Sequence, residues 1–408
     1  MADRATTALA RAALARRHAS ATLRDRRERT VEGAPGARVT LRGRSLWNFS
    51  SNGYLGLSTH PRVVAAMREE ATRTGASSTA SRQVGGNLAV VEELEDALAR
   101  LKGKEQALVF SSGYAANVGA LVALGGALDE PGAPAPIFVS DAQNHASIID
   151  GCRLAGAEVV VYPHADARAA DAVLALAATA GRRALLVTES RFSMDGDVAP
   201  LGALCAACQR TGATLVVDEA HATGIDGAGR GLVHELGLAD DVDVVVGTLG
   251  KALGAHGAFA AGDNAVVRWL ENAARTFIYS TGLPGPVAAA ALAALHVLRD
   301  ERPDLSLRDN IDALRAFLAE RGLADAVLPN ASGPILPVLA GSAERALALA
   351  AHLLDRGVLG VAIRSPTVAE GACRVRLSVR ADHPMAALVA LADGLADARQ
   401  AGVLRAAR

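Results

Sequence analysis

Short apolar runs with little polar alternation punctuate the middle of the chain, at residues 106–110, 136–139, 159–162, 184–188, 214–217 and 242–246. Most are rich in Val or Leu and bounded by small or polar residues, the pattern of strands covered on both faces. Between them lie stretches at helical spacing, such as 114–125 after a small-residue turn and 148–154 ended by Gly156. Strand, crossover helix and strand in succession predict an α/β fold with a mostly parallel sheet.

Upstream, residues 3–28 read as an Ala/Leu/Arg helix, followed by a glycine turn and a short strand or hairpin at 42–49. A helix opens at His60-Pro61-Arg62, with proline in its first turn as helix starts permit, and ends near Gly75. Another spans 87–101. Downstream of Pro286 an Ala/Leu helix runs to about Arg299. There follow helices near 305–321, 342–356 and 383–400 and strands near 335–339, 361–363 and 374–379, an α+β arrangement. The expected organisation is an N-terminal helix and strand segment over 1–47, a large domain over 48–290 and a smaller one over 291–408.

Length and composition agree with two domains, since 408 residues exceed what one compact core holds. Half the residues are apolar and the formal net charge is -1. That gives no general electrostatic reason to bind nucleic acid. No stretch is long and apolar enough for a membrane span, the first residues lack the apolar core of a signal peptide, and four cysteines suit a reducing cytoplasm. Cys205 and Cys208 form a CxxC in a helix-like stretch without a second pair, so they read as packing residues and no metal site is expected.

The candidate chemistry gathers where strands end. Lys251 follows the run 242–246 within Gly247-Thr248-Leu249-Gly250-Lys251-Ala252-Leu253-Gly254, and Asp218-Glu219-Ala220-His221 ends the run 214–217. A lysine able to form a Schiff base, with an acid and an imidazole at neighbouring strand ends, is how proteins hold pyridoxal 5'-phosphate. Asp218 suits the pyridine nitrogen and His221 the phenolic oxygen. The turn Ser111-Ser112-Gly113-Tyr114 opens a helix whose N–H groups suit a phosphate, with Thr248 adding a hydroxyl. His145 follows strand 136–139 and can stack on the ring, and Ser190 follows strand 184–188. All of these lie at carboxyl ends of parallel strands, where open α/β sheets collect ligands.

These motifs closely resemble those of the α-oxoamine synthases, fold-type I pyridoxal-phosphate enzymes. The likeness runs from about Asn48 to Arg380 and is carried by residues 144–151, 189–197, 218–224 and 247–254. It implies an aminotransferase-like fold, with a seven-stranded, mostly parallel sheet in the large domain. It further implies Lys251 as the Schiff-base lysine and general base, Asp218 at the pyridinium, His221 at the phenolic oxygen, His145 stacked on the ring and Ser190 near its oxygen edge. Gly113, Tyr114 and Thr248 would hold the cofactor, with Ser280 and Thr281 reaching the phosphate in the other subunit of a homodimer. For substrate the likeness implies Asn52, Arg376 for an amino acid carboxylate, and Arg24 and Thr367 for the acyl part. The implied reaction is a decarboxylative condensation of L-alanine with pimeloyl-CoA or a pimeloyl carrier protein, in biotin biosynthesis. Departures from the family pattern at Gly53, Val91, Gly282 and Gly285 flank the substrate region. Another amino acid and acyl-CoA pair, as in a glycine C-acetyltransferase, shares the cofactor set, and a non-catalytic pyridoxal-phosphate binder is the alternative from another class.

Overall fold

The structure, a computed structural model, describes residues 5–21, 23, 26, 30–126 and 135–404. The chain forms two compact units.

The larger unit comprises residues 52–193 and 197–307. Its sheet has seven strands: β1 (Gln106–Phe110), β2 (Ile137–Asp141), β3 (Glu158–Tyr162), β4 (Ala184–Glu189), β5 (Thr214–Asp218), β6 (Val244–Thr248) and β7 (Ala258–Gly262). Their spatial order is β1-β7-β6-β5-β4-β2-β3. Strands β3, β2, β4, β5 and β6 run parallel, and β7 lies antiparallel between β6 and β1. Strands β2, β4, β6 and β7 are buried at every position. Side chains alternate across the sheet. Val139, Leu186, Leu215, Val217 and Val245 therefore join one apolar cluster with the helices Ala167–Thr179 and Leu201–Thr211. Phe138, Leu185, Val187, Val216 and Val246 join another with the helices Gly113–Gly125 and Asn264–Ala273. Strand β3 departs from the covered pattern. It is one of the two sheet edges, and Val159 and Val161 are exposed. Elsewhere in this unit the helix Gly285–Glu301 packs on Pro61–Thr74.

Two sequence expectations shift here. Strand β7 has the composition Ala-Phe-Ala-Ala-Gly and carries no branched residue, so apolar runs of Val and Leu do not reveal it. Among the described residues the N-terminal helix covers Ala5–Ala19 and ends before Ser20, short of the expected end at 28. The Ser20 hydroxyl donates back to the carbonyls of Arg16 and Arg17, and Ala21 turns to a φ of 53°, which stops the helix. The CxxC cysteines are buried in the helix Leu201–Thr211, and burial pushes their thiols up, Cys205 to about 11 and Cys208 to about 12.

The smaller unit comprises residues 1–51, 194–196 and 308–408. Ile335–Gly341, Cys373–Ser378 and Val361–Ile363 form an antiparallel sheet with Cys373–Ser378 at its centre. A second sheet joins Val31–Glu32, the hairpin Arg38–Leu41 and Arg44–Asn48, and the parallel strand Val358–Leu359. Among the described residues no helix is long and apolar enough to cross a membrane.

Candidate active site

A cavity of about 210 Å³ opens at the carboxyl ends of β4, β5 and β6. The sheet places its acids. Strands β4 and β5 are in register with Glu189 beside Asp218, so both terminal carboxylates point to the same face and into the cavity. Lys251 enters from the turn after β6, His145 from the segment after β2, and Gly113 and Tyr114 from the start of the helix after β1.

Asp218 is buried, and its two oxygens receive neutral donors only. The Ala220 N–H reaches Oδ1 at 2.7 Å and the Asn117 side-chain amide reaches Oδ2 at 2.7 Å. Among the described residues no basic side chain pairs with it at ion-pair distance. A buried carboxylate of this kind is suited to a cationic partner brought by a ligand. Glu189 is buried beside it with Oε1 unpaired. Burial, together with the neighbouring Asp218 and against the pull of Lys251, pushes the Glu189 carboxyl up to about 8.

The amine side of the cavity is a hydrogen-bonded row. Lys251 Nζ lies 2.8 Å from His221 Nε2, and His221 Nδ1 lies 2.8 Å from the Tyr54 hydroxyl. With the ammonium donating to Nε2, the ring proton sits on Nδ1 and is donated to the tyrosine oxygen. The tyrosine hydrogen then goes to Asn52 Oδ1 at 3.2 Å. Asn52 thus reaches the site through Tyr54. His145 occupies another wall, with Nδ1 2.8 Å from Ser147 Oγ. Burial, opposed by Asp218 and reinforced by Lys251, holds its imidazole below the ordinary range.

Two ion-pair clusters adjoin the segments that carry these residues, one buried and one partly exposed. The Lys102 ammonium donates to Glu219 Oε2 at 2.7 Å, Thr223 Oγ1 at 2.8 Å and the Arg230 carbonyl at 2.7 Å, which uses all three of its hydrogens. The other oxygen of Glu219 accepts the Val233 N–H at 2.8 Å. The segment that carries Asp218 and His221 is therefore pinned from behind. His164 stands between two carboxylates, with Nδ1 2.8 Å from Asp141 and Nε2 2.8 Å from Asp197, and with Phe192 packed edge-on against its ring. Burial lowers its affinity for a proton, but the two carboxylates outweigh this and raise the imidazole to about 9. Asp141 also caps the turn that leads to His145, through the Gln143 N–H.

The residues fit pyridoxal phosphate. An amine, an accept-only buried carboxylate and a helix start line one cavity, and a side chain added at Gly113 would meet nothing within 4 Å, so the glycine leaves room beside the helix N-terminus. Of the sequence-predicted residues, Lys251, Asp218, His221, His145, Thr248, Gly113 and Tyr114 line the cavity together. The Thr248 hydroxyl already donates to the Gly257 carbonyl at 3.1 Å and accepts the Gly250 N–H at 3.2 Å, so its hydrogen is committed and one oxygen lone pair is left for other contacts.

Others lie elsewhere. Ser190, one residue beyond the end of β4, is buried with its Oγ unpaired and is not among the residues that line the cavity. Ser280 and Thr281 do not line it either, and Thr281 forms a β-bridge with Ser81. In the smaller unit Arg376 is buried on the central strand and donates to Ser378 Oγ at 3.1 Å, and Thr367 lies in an exposed turn. Arg24 falls outside the described residues. Sequence reasoning missed Glu189, Asn117, Ser147 and Tyr54. Register with Asp218 is the signal that marks Glu189.

Residues 44–395 match the family model described as aminotransferase class I and II. A protein of Anaeromyxobacter dehalogenans described as 8-amino-7-oxononanoate synthase is 48% identical over 91% of this chain and 92% of its own. One of the same description from Geobacter metallireducens is 45% identical over 88% of this chain and 90% of its own. Among solved structures, a serine palmitoyltransferase variant from S. paucimobilis, with a bound PLP–myriocin adduct, superposes with a TM-score of 0.87 at 27% identity. It covers 98% of this chain and 100% of that one.

Proposed function

The chain belongs to the aminotransferase class I and II family, in its α-oxoamine synthase branch, and we propose that it condenses L-alanine with a pimeloyl thioester. The product is 8-amino-7-oxononanoate, a precursor of biotin, and the thioester is pimeloyl-CoA or a pimeloyl carrier protein. Three alanine carbons and seven pimeloyl carbons, less one lost as CO2, give the nine of the product, and the free thiol leaves. The observation that carries the reading is that Lys251 and Asp218 line one cavity, joined there by His145 and His221.

Bound pyridoxal phosphate supplies the electron sink that both proton removal and decarboxylation need. Asp218 would keep the proton on the pyridine nitrogen, and burial makes that charge pairing strong. His221 would hold the phenolic oxygen, His145 would cover the ring face, and Gly113, Tyr114 and Thr248 would border the phosphate. Lys251 would hold the cofactor, and its amine, which lines the same cavity, would take the Cα proton of alanine as general base. Arg376 is assigned to the alanine carboxylate, and Arg24, Asn52, His145 and Thr367 to the substrate more broadly. We further propose a cytoplasmic homodimer in which Ser280 and Thr281 serve the partner's cofactor.

The test is an absorbance titration followed by product mass. The purified chain should show a visible band with pyridoxal phosphate that shifts on adding L-alanine, and alanine with pimeloyl-CoA should yield the nine-carbon amino ketone. Lys251→Ala should lose the band. Faster turnover of glycine with acetyl-CoA, or of serine with a long-chain acyl-CoA, would reassign the substrates. A chain with no spectral response to any amino acid would refute catalysis.

A further inference from the structure

The cavity wall at His145 contains a relay that determines where the imidazole carries its proton. The Asn117 amide nitrogen has two hydrogens. One goes to Asp218 Oδ2 at 2.7 Å and the other to Ser147 Oγ at 3.0 Å. The amide cannot be turned the other way, because its oxygen would then face the accept-only oxygen of Asp218. Ser147 Oγ receives the amide hydrogen, so its own hydrogen is free to point at His145 Nδ1, 2.8 Å away. The Ser147 backbone N–H points at the same nitrogen, at 3.2 Å. Two donors converge on Nδ1, and a nitrogen that accepts cannot also carry a proton. Asn117 is 2% exposed and Ser147 is 0% exposed, so water does not compete for these bonds.

We propose that Asn117 and Ser147 are positioning residues that fix His145 as the neutral tautomer protonated on Nε2, giving the cavity a fixed N–H donor. The proposal rests on reading this cavity as the cofactor and substrate site, and it adds what His145 offers there. An oxygen acceptor is the chemistry it suits, such as a substrate carboxylate or a thioester carbonyl. The relay also links the acid under the pyridine site to the imidazole over it. The Asp218 carboxylate keeps the Asn117 amide oriented, and the oriented amide keeps the serine hydrogen pointed at Nδ1. The charged and titratable groups that share the cavity with His145 are Asp218, Glu189, Lys251, His221 and Tyr114. Burial and Lys251, against Asp218, lower the proton affinity of His145, which favours the neutral ring that the two donors require.

The experiment is imidazole 15N NMR on the full-length chain labelled with 15N-histidine, with and without pyridoxal phosphate, using His145→Gln to assign the signal. The wild type should show an acceptor-type Nδ1 and a donor-type Nε2 through the neutral range in both forms. Ser147→Ala removes one neutral hydrogen bond to Nδ1. It should raise the His145 pKa by roughly one unit and enrich the Nδ1–H tautomer roughly tenfold. Ser147→Thr should restore the wild-type pattern. Ser147→Cys keeps the volume with a weaker donor, should fall between, and serves if the alanine variant does not fold. A wild-type Nδ1–H signal, or a serine variant with unchanged tautomer and pKa, overturns the proposal. The two readings fail separately. A chain that gives no visible band with pyridoxal phosphate yet shows the serine-dependent shift loses the proposed reaction and keeps the relay. A chain with the band but without the shift does the reverse.

Discussion

Replacing His164 with glutamine should remove a pH-dependent contribution to folding that the geometry lets us size. A neutral imidazole has one N–H, but both ring nitrogens of His164 lie 2.8 Å from carboxylate oxygens, so the ring is held as the cation. Raising it from 6.5 to about 9 amounts to about 3 kcal/mol of folding free energy where the ring is charged both folded and unfolded. The side chain is 20% exposed, and solvent screening trims this to about 2–3 kcal/mol. Because the folded pKa is the higher one, the contribution is complete below about pH 6.5, shrinks as pH rises, and is gone a little above 9. The assay is urea unfolding from pH 6 to 10 of wild type and His164→Gln, both carrying Trp47→Phe. Trp269, in the helix Asn264–Ala273, then reports on the larger unit. Other groups titrate in this range in both proteins, so the difference between the two curves isolates His164. A difference that is constant from pH 6 to 10, or that grows with pH, would refute the reasoning, as would an NMR pKa for His164 at or below its ordinary value.

Three further outcomes are expected. Lys102→Met should destabilise the larger unit by about 3–5 kcal/mol, because Glu219 is left buried and unpaired, and Lys102→Met with Glu219→Leu should recover much of this in a denaturation cycle. Tyr54→Phe strands the His221 Nδ1–H and should lower turnover about tenfold, the effect of one lost buried hydrogen bond, which steady-state rates with alanine would measure. Gly231→Ala should cost about 2–4 kcal/mol in thermal unfolding. Its φ of +107° disfavours a side chain, and the added carbon would overlap the buried Glu219 carboxylate.

The strands and most of the candidate site are legible in the sequence for one reason: both are local. A parallel strand buried on two faces needs consecutive apolar residues, and a ligand at its carboxyl end needs the polar residues that follow. That is enough to find Lys251, Asp218, His221 and His145. Strand β7 escapes because, Phe259 aside, it is built of alanine and glycine, which look the same in a helix. Glu189 illustrates a different limit, because its place beside Asp218 depends on register, which is a fact about two strands and not one. Asn117 and Tyr54 are found only through their partners, 101 and 167 residues away along the chain, and Ser147, though two residues from His145, joins Asp218 only through Asn117, 30 residues away.

The saturated ammonium of Lys102 has a consequence for motion. A cation with every hydrogen already committed gains nothing from a small shift, because any displacement breaks one bond before another acceptor is in range. The backing of the 218–223 stretch consequently has no slack. If the pocket reshapes itself during turnover, the travel has to come from walls that are less tightly tethered, and those are where conformational exchange should be sought.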